Sequence, residues 1–532
     1  MDLILKDAFF YSRGRTLFAD IVISGDEILK VGRVLKEDYK DFERIDCRNK
    51  LILPAFTDSH LHLEALAHSL EEIDLRDSRS LEEVLSRIAR FAEQLPPGEW
   101  ITGGRWDKNI WEKPVFPTHR ELDRVTGDHP AMLWSKDGHA LWVNSLVLKL
   151  LNIERTTPDP PGGKILRDEE GEPSGILLEN AADLYGGKFA RPEENDREAN
   201  LTRAAKYLNQ QGITGCNWFL EKNEDPLSIL SFIDALNLDL DVTLWFPKES
   251  LEAVMKSGLK SGEGTERVKF GGIKLFADGA LGSQTAFLLA PYEGSHSSGI
   301  EVTSEKELEE VINVAAKHDI AVAVHAIGDA AVRNAIQAFY PQRALNQKLR
   351  NRLEHVQLIH PQDRVRLSES GLLASVQPIH AVSDRKMASL YWGERVKYSY
   401  SYRSLHDSGI PLAFGSDAPV EDPSVLKGIY AACARKTPFI SEEPFLPQEA
   451  IDLKDALDAY TYWGAWSTFQ DKEKGEIAPG KKADLVVLSE NILNLPLIGL
   501  REVKVLSTIF RGKISDTVLN KDSLISGDNR QS

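Results

Sequence analysis

The sequence predicts a (β/α)8 barrel, an α/β fold in which eight parallel strands alternate with helices. Along the middle of the 532-residue chain, short apolar runs alternate with helical patterns, as expected for a parallel sheet. Several of these runs end on side chains that can bind metal ions, histidines above all. In a barrel of this kind the active site lies at the carboxyl ends of the strands, so both observations point to one site.

Eight apolar runs are predicted as the barrel strands: Ala55–His60, Gly212–Phe219, Asp241–Phe246, Val268–Phe276, Ile320–His325, Arg352–Val356, Leu372–Gln377 and Ile410–Gly415. The helical segment Ser304–His318 supports the alternation. Ser304 is expected to be its N-cap, with Glu307 three residues later completing a capping box.

The two ends of the chain contain short strands that neither end could stabilise alone, since an isolated hairpin is only marginally stable. We therefore predict a small β-sandwich built from residues 1–55 and 469–532, around a barrel of residues 56–468. The connection after the first barrel strand is far longer than one helix needs. Its part at about 96–187, rich in Gly, Pro and Trp, is predicted to be an insert subdomain over the active site.

Composition and charge limit the possible partners and the location of the protein. Sixty-four basic and 81 acidic residues leave a net charge of −17, which disfavours binding to nucleic acid or to anionic membranes. Cys47, Cys216 and Cys433 lie far apart, which fits a reducing compartment better than a disulfide framework. Neither a signal peptide nor a membrane-spanning run is recognised, and a cytoplasmic location with a small-molecule substrate is expected.

Metal-compatible side chains end five of the predicted strands. His60 and His62 are two residues apart and so point to the same side of an extended strand. Alone, this pair is a weak signal, and two polar residues where a strand meets a loop are the simpler interpretation. The full set makes a shared metal site the better interpretation. It consists of His60, His62, Lys274, His325, His355 and Asp417.

Several motifs extend this pattern over nearly the whole chain. They are "KLFADGALGSQTA", "HAIGDAAV", "EHVQ", "SVQP", "GSDAPV", "GEIAPGKKADLVVL" and "DGHALWVNS". With the strand-end residues, they resemble the amidohydrolase superfamily of metal-dependent hydrolases, and within it the YtcJ-like (amidohydrolase-3 type) branch. The resemblance implies that His60, His62 and Asp417 hold a more buried ion. It also implies that His325 and His355 hold a second ion, zinc being expected and manganese or iron being alternatives.

The resemblance further implies that Lys274 reacts with carbon dioxide to become an N6-carboxylated lysine that bridges the two ions. Burial favours the neutral amine, which is the form that attacks carbon dioxide. The alternative is an unmodified lysine paired with an acidic neighbour such as Asp278.

With this resemblance, the residues imply a binuclear metal-dependent amidohydrolase that cleaves an amide, formamide or cyclic amide bond. A metal-bridging hydroxide would attack the carbonyl, and Asp417 would act as general base and then general acid. A deaminase, a lactonase or a phosphoesterase of the same superfamily is the alternative enzyme, although deaminase members generally use one metal without a bridging lysine. A non-catalytic binding protein is the alternative outside enzymes.

Further residues are candidates for contacts with the substrate or with the metal ligands. Asp58 could orient a histidine or cap its strand, and Trp106 and His139 could face the substrate or be structural. Asp278 follows the lysine in its motif, and His380 follows the seventh strand. Gln284 stands where relatives usually have arginine, which affects substrate contacts and not the metals. A homodimer is compatible with the superfamily, but the sequence does not determine it.

Overall fold

The structure is a computed structural model. It describes residues 2–35, 37–76, 78–108, 111–113, 115–136, 140–160, 163–186, 197–221, 223–437 and 442–517. The chain divides into two compact units, one of Met1–Leu63 with Leu201–Ser532 and one of Glu64–Asn200. Across the described ranges, every helix is too short or too polar to cross a bilayer.

Five strands open the chain: β1 (Leu3–Ser12), β2 (Arg15–Ser24), β3 (Glu27–Val31), β4 (Glu43–Asp46) and β5 (Leu51–Pro54). β1 is their centre, because it pairs antiparallel with β2 and parallel with β4 and β5. Alternate apolar residues, such as Leu3 and Leu5, are buried on one face, as the two-residue period of a strand requires.

The barrel begins with β6 (Phe56–Leu61), after which the chain builds the second unit. Its elements are α1 (Leu63–Ser69), β7 (Ile73–Asp74), α2 (Leu81–Ala92), β8 (Ile101–Trp106), α3 (His119–Thr126), β9 (Ala131–Ser135), β10 (Ala140–Val143), α4 (Ser145–Leu150), β11 (Gly163–Arg167), β12 (Pro173–Glu179) and α5 (Asn180–Gly186). The strands form one sheet in the order β11-β12-β10-β9-β8-β7 around a core that includes Trp106 and Trp142. β7 and α2, which precede residue 96, belong to this unit.

The remaining barrel strands are β13 (Ile213–Phe219), β14 (Asp241–Pro247), β15 (Val268–Phe276), β16 (Ala321–Ala326), β17 (Arg352–His355), β18 (Leu373–Val376) and β19 (Leu412–Phe414). With β6 they form an eight-stranded parallel sheet in sequence order. A bridge between Leu61 and Ala418 joins the last strand to the first. The predicted (β/α)8 barrel is confirmed, and each predicted strand overlaps its observed one.

Helices connect these strands and complete the first unit. They are α6 (Arg197–Gln210), α7 (Pro226–Ala235), α8 (Leu251–Ser257), α9 (Glu305–Lys317), α10 (Asp329–Phe339), α11 (Arg343–Leu349), α12 (Pro361–Ser370), α13 (Pro378–Ser383), α14 (Arg385–Trp392), α15 (Tyr402–Asp407), α16 (Val425–Ala434), α17 (Leu453–Tyr460) and α18 (Tyr462–Ser467). Short 3-10 turns lie at Lys248–Ser250, Tyr340–Gln342, Gly393–Tyr398, Pro447–Glu449, Ile492–Asn494 and Leu497–Arg501. The capping box predicted for α9 is present.

The last strands, β20 (Leu485–Leu488), β21 (Val505–Phe510) and β22 (Lys513–Thr517), return to the sheet of the first five. β20 pairs antiparallel with β5, which gives the order β22-β21-β20-β5-β1-β2-β3 with β4 beside β1. Glu27 at the opposite edge bridges to Lys482, so the sheet rolls around a core shared by both ends of the chain.

Candidate metal centre

The metal-compatible residues of the sequence converge at the carboxyl ends of the barrel strands. They lie on β6, β15, β16 and β17 or in the loops that follow β6 and β19. Lys274, His60 and His355 are 4%, 1% and 5% exposed, so these polar groups are held inside the barrel. Buried polar groups of this kind require partners or bound ions.

His60, His62 and Asp417 form a first group, in which one ligand atom from each lies within 4.8 Å of the others. The Nε2 atoms of His60 and His62 are 3.5 and 3.4 Å from Oδ1 of Asp417. A backbone hydrogen bond holds Asp417 beside His60, since the Asp417 amide donates to the His60 carbonyl at 2.7 Å. Asp417 has a φ of +59°, a conformation that is costly outside glycine and is found at functional sites.

His355, His380 and Asp417 form a second group with the same 4.8 Å spacing. Nε2 of His380, on α13, lies 3.3 Å from Oδ2 of Asp417. The two oxygens of Asp417 therefore face two different sets of imidazoles. His380, a candidate in the sequence, is thus a member of the second group.

His325 reaches the same rim but is in neither group. Its ring lies 4.6 Å from that of His355, and its Nε2 is 2.9 Å from the Gly279 carbonyl. The structure thus brings the rings of His325 and His355 together. The histidine that lies beside Oδ2 of Asp417 is His380. A ligand role for His325 stays a prediction.

Burial and nearby charge set the protonation of these groups. Burial and the charge of Lys274 lower the pKa of His60 to about 4 and that of His325 to about 3. Burial also disfavours the cations of His62 and His380, but hydrogen bonds to Asp417 raise their pKa to about 9. Against its own burial, these two histidines hold the pKa of Asp417 well below its ordinary value. Asp417 is therefore ionised, the form that binds a cation.

Two polar residues that sequence reasoning missed contact the histidines. Nδ1 of His60 lies 2.6 Å from Oε2 of Glu354, and Nδ1 of His355 lies 2.9 Å from Oε1 of Gln377. Both partners belong to the motifs "EHVQ" and "SVQP". A polar residue inside an apolar strand run, next to a strand-end histidine, is the signal that could have identified Glu354.

Asp58 and Asp278 bind backbone amides. Oδ1 of Asp58 accepts hydrogen bonds from the amides of His60 and Ser416, both at 3.0 Å, so it joins the first and last barrel strands. This is the strand-end alternative and not contact with an imidazole. Asp278 accepts from the amides that follow β15 and β16, those of Phe287, Ile327 and Gly328. Burial raises the pKa of both carboxyl groups to about 7.

The ammonium of Lys274 has aromatic neighbours. Its Nζ lies 4.2 Å from the ring centroid of Phe219 and 5.2 Å from that of Phe276. Within the described residues it makes no hydrogen bond or ion pair, and the suggested pairing with Asp278 is not formed. Burial lowers its pKa to about 8.

The two candidates of the inserted segment, Trp106 and His139, belong to the second unit of the chain. Trp106 is 1% exposed in the core of the second unit, where its indole donates to the Leu133 carbonyl at 3.0 Å. The structural alternative therefore describes Trp106. His139 lies outside the described residues.

Comparisons with known proteins agree with this geometry. A model described as "Amidohydrolase family" matches residues 43–516. The chain belongs to the amidohydrolase family. It is 32% identical over 507 residues to the amidohydrolase YtcJ of Bacillus subtilis, covering 90% of this chain and 92% of that protein.

Two further similarities cover almost the whole amidohydrolase chain. An N-substituted formamide deformylase of Arthrobacter pascens is 27% identical over 512 residues, 92% of this chain and 94% of that one. The crystal structure of an uncharacterized metal-dependent hydrolase from Pyrococcus horikoshii superposes with a TM-score of 0.72 at 28% identity, covering 93% and 99%. The protein is a metal-dependent hydrolase of the amidohydrolase family.

Proposed function

We propose that this amidohydrolase uses two divalent metal ions, zinc in the first place, to hydrolyse an amide, formamide or cyclic amide. The observation that carries the proposal is the position of Asp417. Its Oδ1 faces His60 and His62 at 3.5 and 3.4 Å, and its Oδ2 faces His380 at 3.3 Å. Imidazoles and a shared carboxylate are a donor set suited to two ions of the zinc class.

The surroundings of Lys274 support its carboxylation. A buried ammonium among the ligands would repel two cations. Its Nζ lies over two aromatic rings and forms no ion pair with any described residue, although the charges of Glu354 and Asp417 act on it. With a pKa of about 8, part of the lysine is the neutral amine at neutral pH. That amine can form an N–C bond to carbon dioxide and release a proton, which leaves an anionic carbamate with two oxygens.

When bound, the ions would act as Lewis acids on the substrate carbonyl and make the attacking water more acidic. Asp417 is ionised, so it can take the proton of that water and pass it to the leaving nitrogen. The side chain is 13% exposed, which lets it reach a substrate while little bulk water competes. His380 holds the second oxygen of this carboxylate in place.

The relative from Arthrobacter pascens is a deformylase of N-substituted formamides. We therefore choose such formamides as the first substrates to test, with open-chain amides and cyclic amides beside them. Cytoplasmic location and a homodimeric state stay predictions.

Metal analysis joined to a substrate panel tests the proposal. The purified protein is expected to contain two zinc-class ions per chain, to hydrolyse members of the panel, to lose that activity with a chelator and to regain it with Zn²⁺. One ion per chain with turnover of an aminated ring would favour a deaminase. Full loading without turnover of amides, lactones or esters would favour a binding protein, and activity indifferent to chelators would contradict metal dependence.

A further inference from the structure

His60 is held by a charged pair buried beneath the metal centre. Its Nδ1 lies 2.6 Å from Oε2 of Glu354, whose other oxygen bonds Nε of Arg352. Arg352 also donates to the Ser59 carbonyl at 2.6 Å, so β17 and β6 are linked through this pair. Glu354 and Arg352 are both 0% exposed.

The direction of the hydrogen bond follows from the charge on Glu354. Its Oε1 forms a buried ion pair with the guanidinium of Arg352, which is always charged, so Glu354 is a carboxylate. An ionised carboxylate only accepts, so Nδ1 of His60 carries the hydrogen. Nε2 is then the unprotonated atom, and it is the atom that faces Asp417 at 3.5 Å.

His355 is held in the same manner by a neutral group. Its Nδ1 lies 2.9 Å from Oε1 of Gln377, an amide oxygen that also only accepts. Nε2 of His355 is again the atom left for a cation. Gln377 is 2% exposed, the Tyr402 hydroxyl fixes its backbone carbonyl, and its Nε2 makes no hydrogen bond to any described residue.

The two acceptors differ in charge, since Glu354 is a carboxylate and Gln377 is a neutral amide. This difference affects how strongly His60 and His355 would bind a metal ion. A hydrogen bond to an ionised acceptor is about twice as strong as one between neutral groups. A carboxylate behind a ligating histidine also makes the imidazole a stronger donor to a metal. His60 is therefore the stronger ligand and His355 the weaker one.

We propose that Glu354 and Gln377 are positioning residues that turn Nε2 of His60 and His355 toward the shared Asp417, and that their difference in charge makes the His60–His62 site bind its ion more tightly. The inference rests on the proposed two-metal function. At limiting metal, the chain carries one ion at His60 and His62, and the site of His355 and His380 fills afterwards.

Zinc titration of the full-length chain tests this inference. Metal-free protein is titrated with Zn²⁺ against a chromophoric chelator to obtain two dissociation constants, and Co²⁺ replaces Zn²⁺ to follow ligand geometry by visible absorption. We expect Glu354→Gln to weaken the tighter constant about 10–100-fold, the usual effect of losing an outer partner of a ligand. Gln377→Glu is expected to tighten the weaker constant, about tenfold, because its new oxygen replaces an amide nitrogen that bonds nothing described.

Controls separate positioning from folding. Glu449→Gln changes a buried glutamate that accepts from the amide and hydroxyl of Ser404, so both constants should stay unchanged. Since Glu354→Gln leaves the Arg352 guanidinium without its carboxylate, the double variant R352M/E354Q is measured beside it. It removes both charges and should weaken the same constant.

The outcomes distinguish a failure of the positioning roles from a failure of the proposed two-metal function. A wild-type chain that binds fewer than two ions contradicts the proposed function. If the wild type binds two ions and both dissociation constants are unchanged in R352M/E354Q and in Gln377→Glu, only the positioning roles are overturned. So does a Glu354→Gln variant that weakens the second site instead of the first.

Discussion

The amine of Lys274 faces two aromatic rings inside the barrel, where a lysine usually needs an anion. Burial lowers its pKa to about 8, which makes the amine available for reaction near neutral pH. Under the proposed function, the chemical identity of this one side chain would decide whether two cations can share the site. It is therefore the residue at which substitution is most informative.

We expect Lys274→Ala to retain less metal and to lose about 10²–10³-fold in kcat/KM, the range for removing one charge-stabilising group. Millimolar acetate or propionate should restore part of the activity, since a free carboxylate can fill the space of the carbamate. Kinetics and elemental analysis with and without the acid measure this.

Lys269→Ala, on the same strand β15, is the matched control and should keep both metal and activity. Carbon dioxide chemistry at Lys274 would be ruled out by a Lys274→Ala variant that keeps two ions and full activity without added acid.

The predicted site residues that the structure brings together are those that lie where a strand ends, and their roles as metal ligands stay predictions. His60, His62, His355 and Asp417 could be found because an apolar run stops at or next to each of them. Glu354 could have been noticed as a polar residue beside His355, but its contact with His60, and that of Gln377 with His355, could not be assigned, because each contact joins residues of different strands. The motif of Trp106 left a substrate contact and a structural role both open, and its buried indole has a backbone acceptor in its own unit.

At the scale of elements, the first group (His60, His62 and Asp417) lies where β6 meets the loop that follows β19. Asp58 binds amides on both sides of this junction, and Gly415 lies against it. A Cβ on Gly415 would be 2.5 Å from the His60 amide nitrogen and 2.9 Å from Oδ1 of Asp58. There is no room for a side chain at this position.

Gly415→Ala should therefore destabilise the fold by about 1–3 kcal/mol, as overpacking does, and reduce the zinc bound at the site. Thermal unfolding and metal content measure both effects. Gly282→Ala is the control, since a Cβ there meets nothing within 4 Å. Equal stability and metal content in the two variants would contradict the importance of this close approach.

Helix α9 offers a local test that leaves the site alone. Ser304 accepts from the Glu307 amide, while the Glu307 carboxylate accepts from the Ser304 amide at 3.0 Å. Ser304→Ala should cost about 1 kcal/mol and speed hydrogen exchange in the first turn of α9. Exchange rates identical to those of the wild type would show that the cap contributes nothing.

At the scale of the molecule, a buried charge cluster joins the barrel to the sheet of the chain ends. Nζ of Lys474 lies 2.6 Å from Asp241, at the start of β14, and 3.7 Å from Asp484, just before β20. Arg511, between β21 and β22, bonds the other oxygen of Asp241 at 3.0 Å. Removing one member leaves the others buried without compensation.

Lys474→Met should lower the free energy of unfolding by about 3–5 kcal/mol while the metal content of the folded protein stays unchanged. Denaturant titration measures the loss. Lys482→Met breaks the more exposed pair with Asp26 and should cost about 1 kcal/mol or less. Similar losses in both variants would argue against a special role for the cluster.

The fold of the whole chain was predictable to different degrees. The barrel followed from eight apolar runs, because strands buried on both faces have an unmistakable composition. The sheet of the second unit did not, since its strands are short and several, such as β7, are recognisable only when paired. A position of that unit over the barrel mouth stays a prediction.

The link from Asp58 to Ser416 spans 358 positions of sequence. During synthesis, His60 and His62 emerge before the Asp417 carboxylate, which follows only after almost all of the barrel has been made. Until then the growing barrel carries only part of this group. In the proposed two-metal protein, full loading would therefore follow completion of the barrel, and bound metal would report that the first and last strands have met.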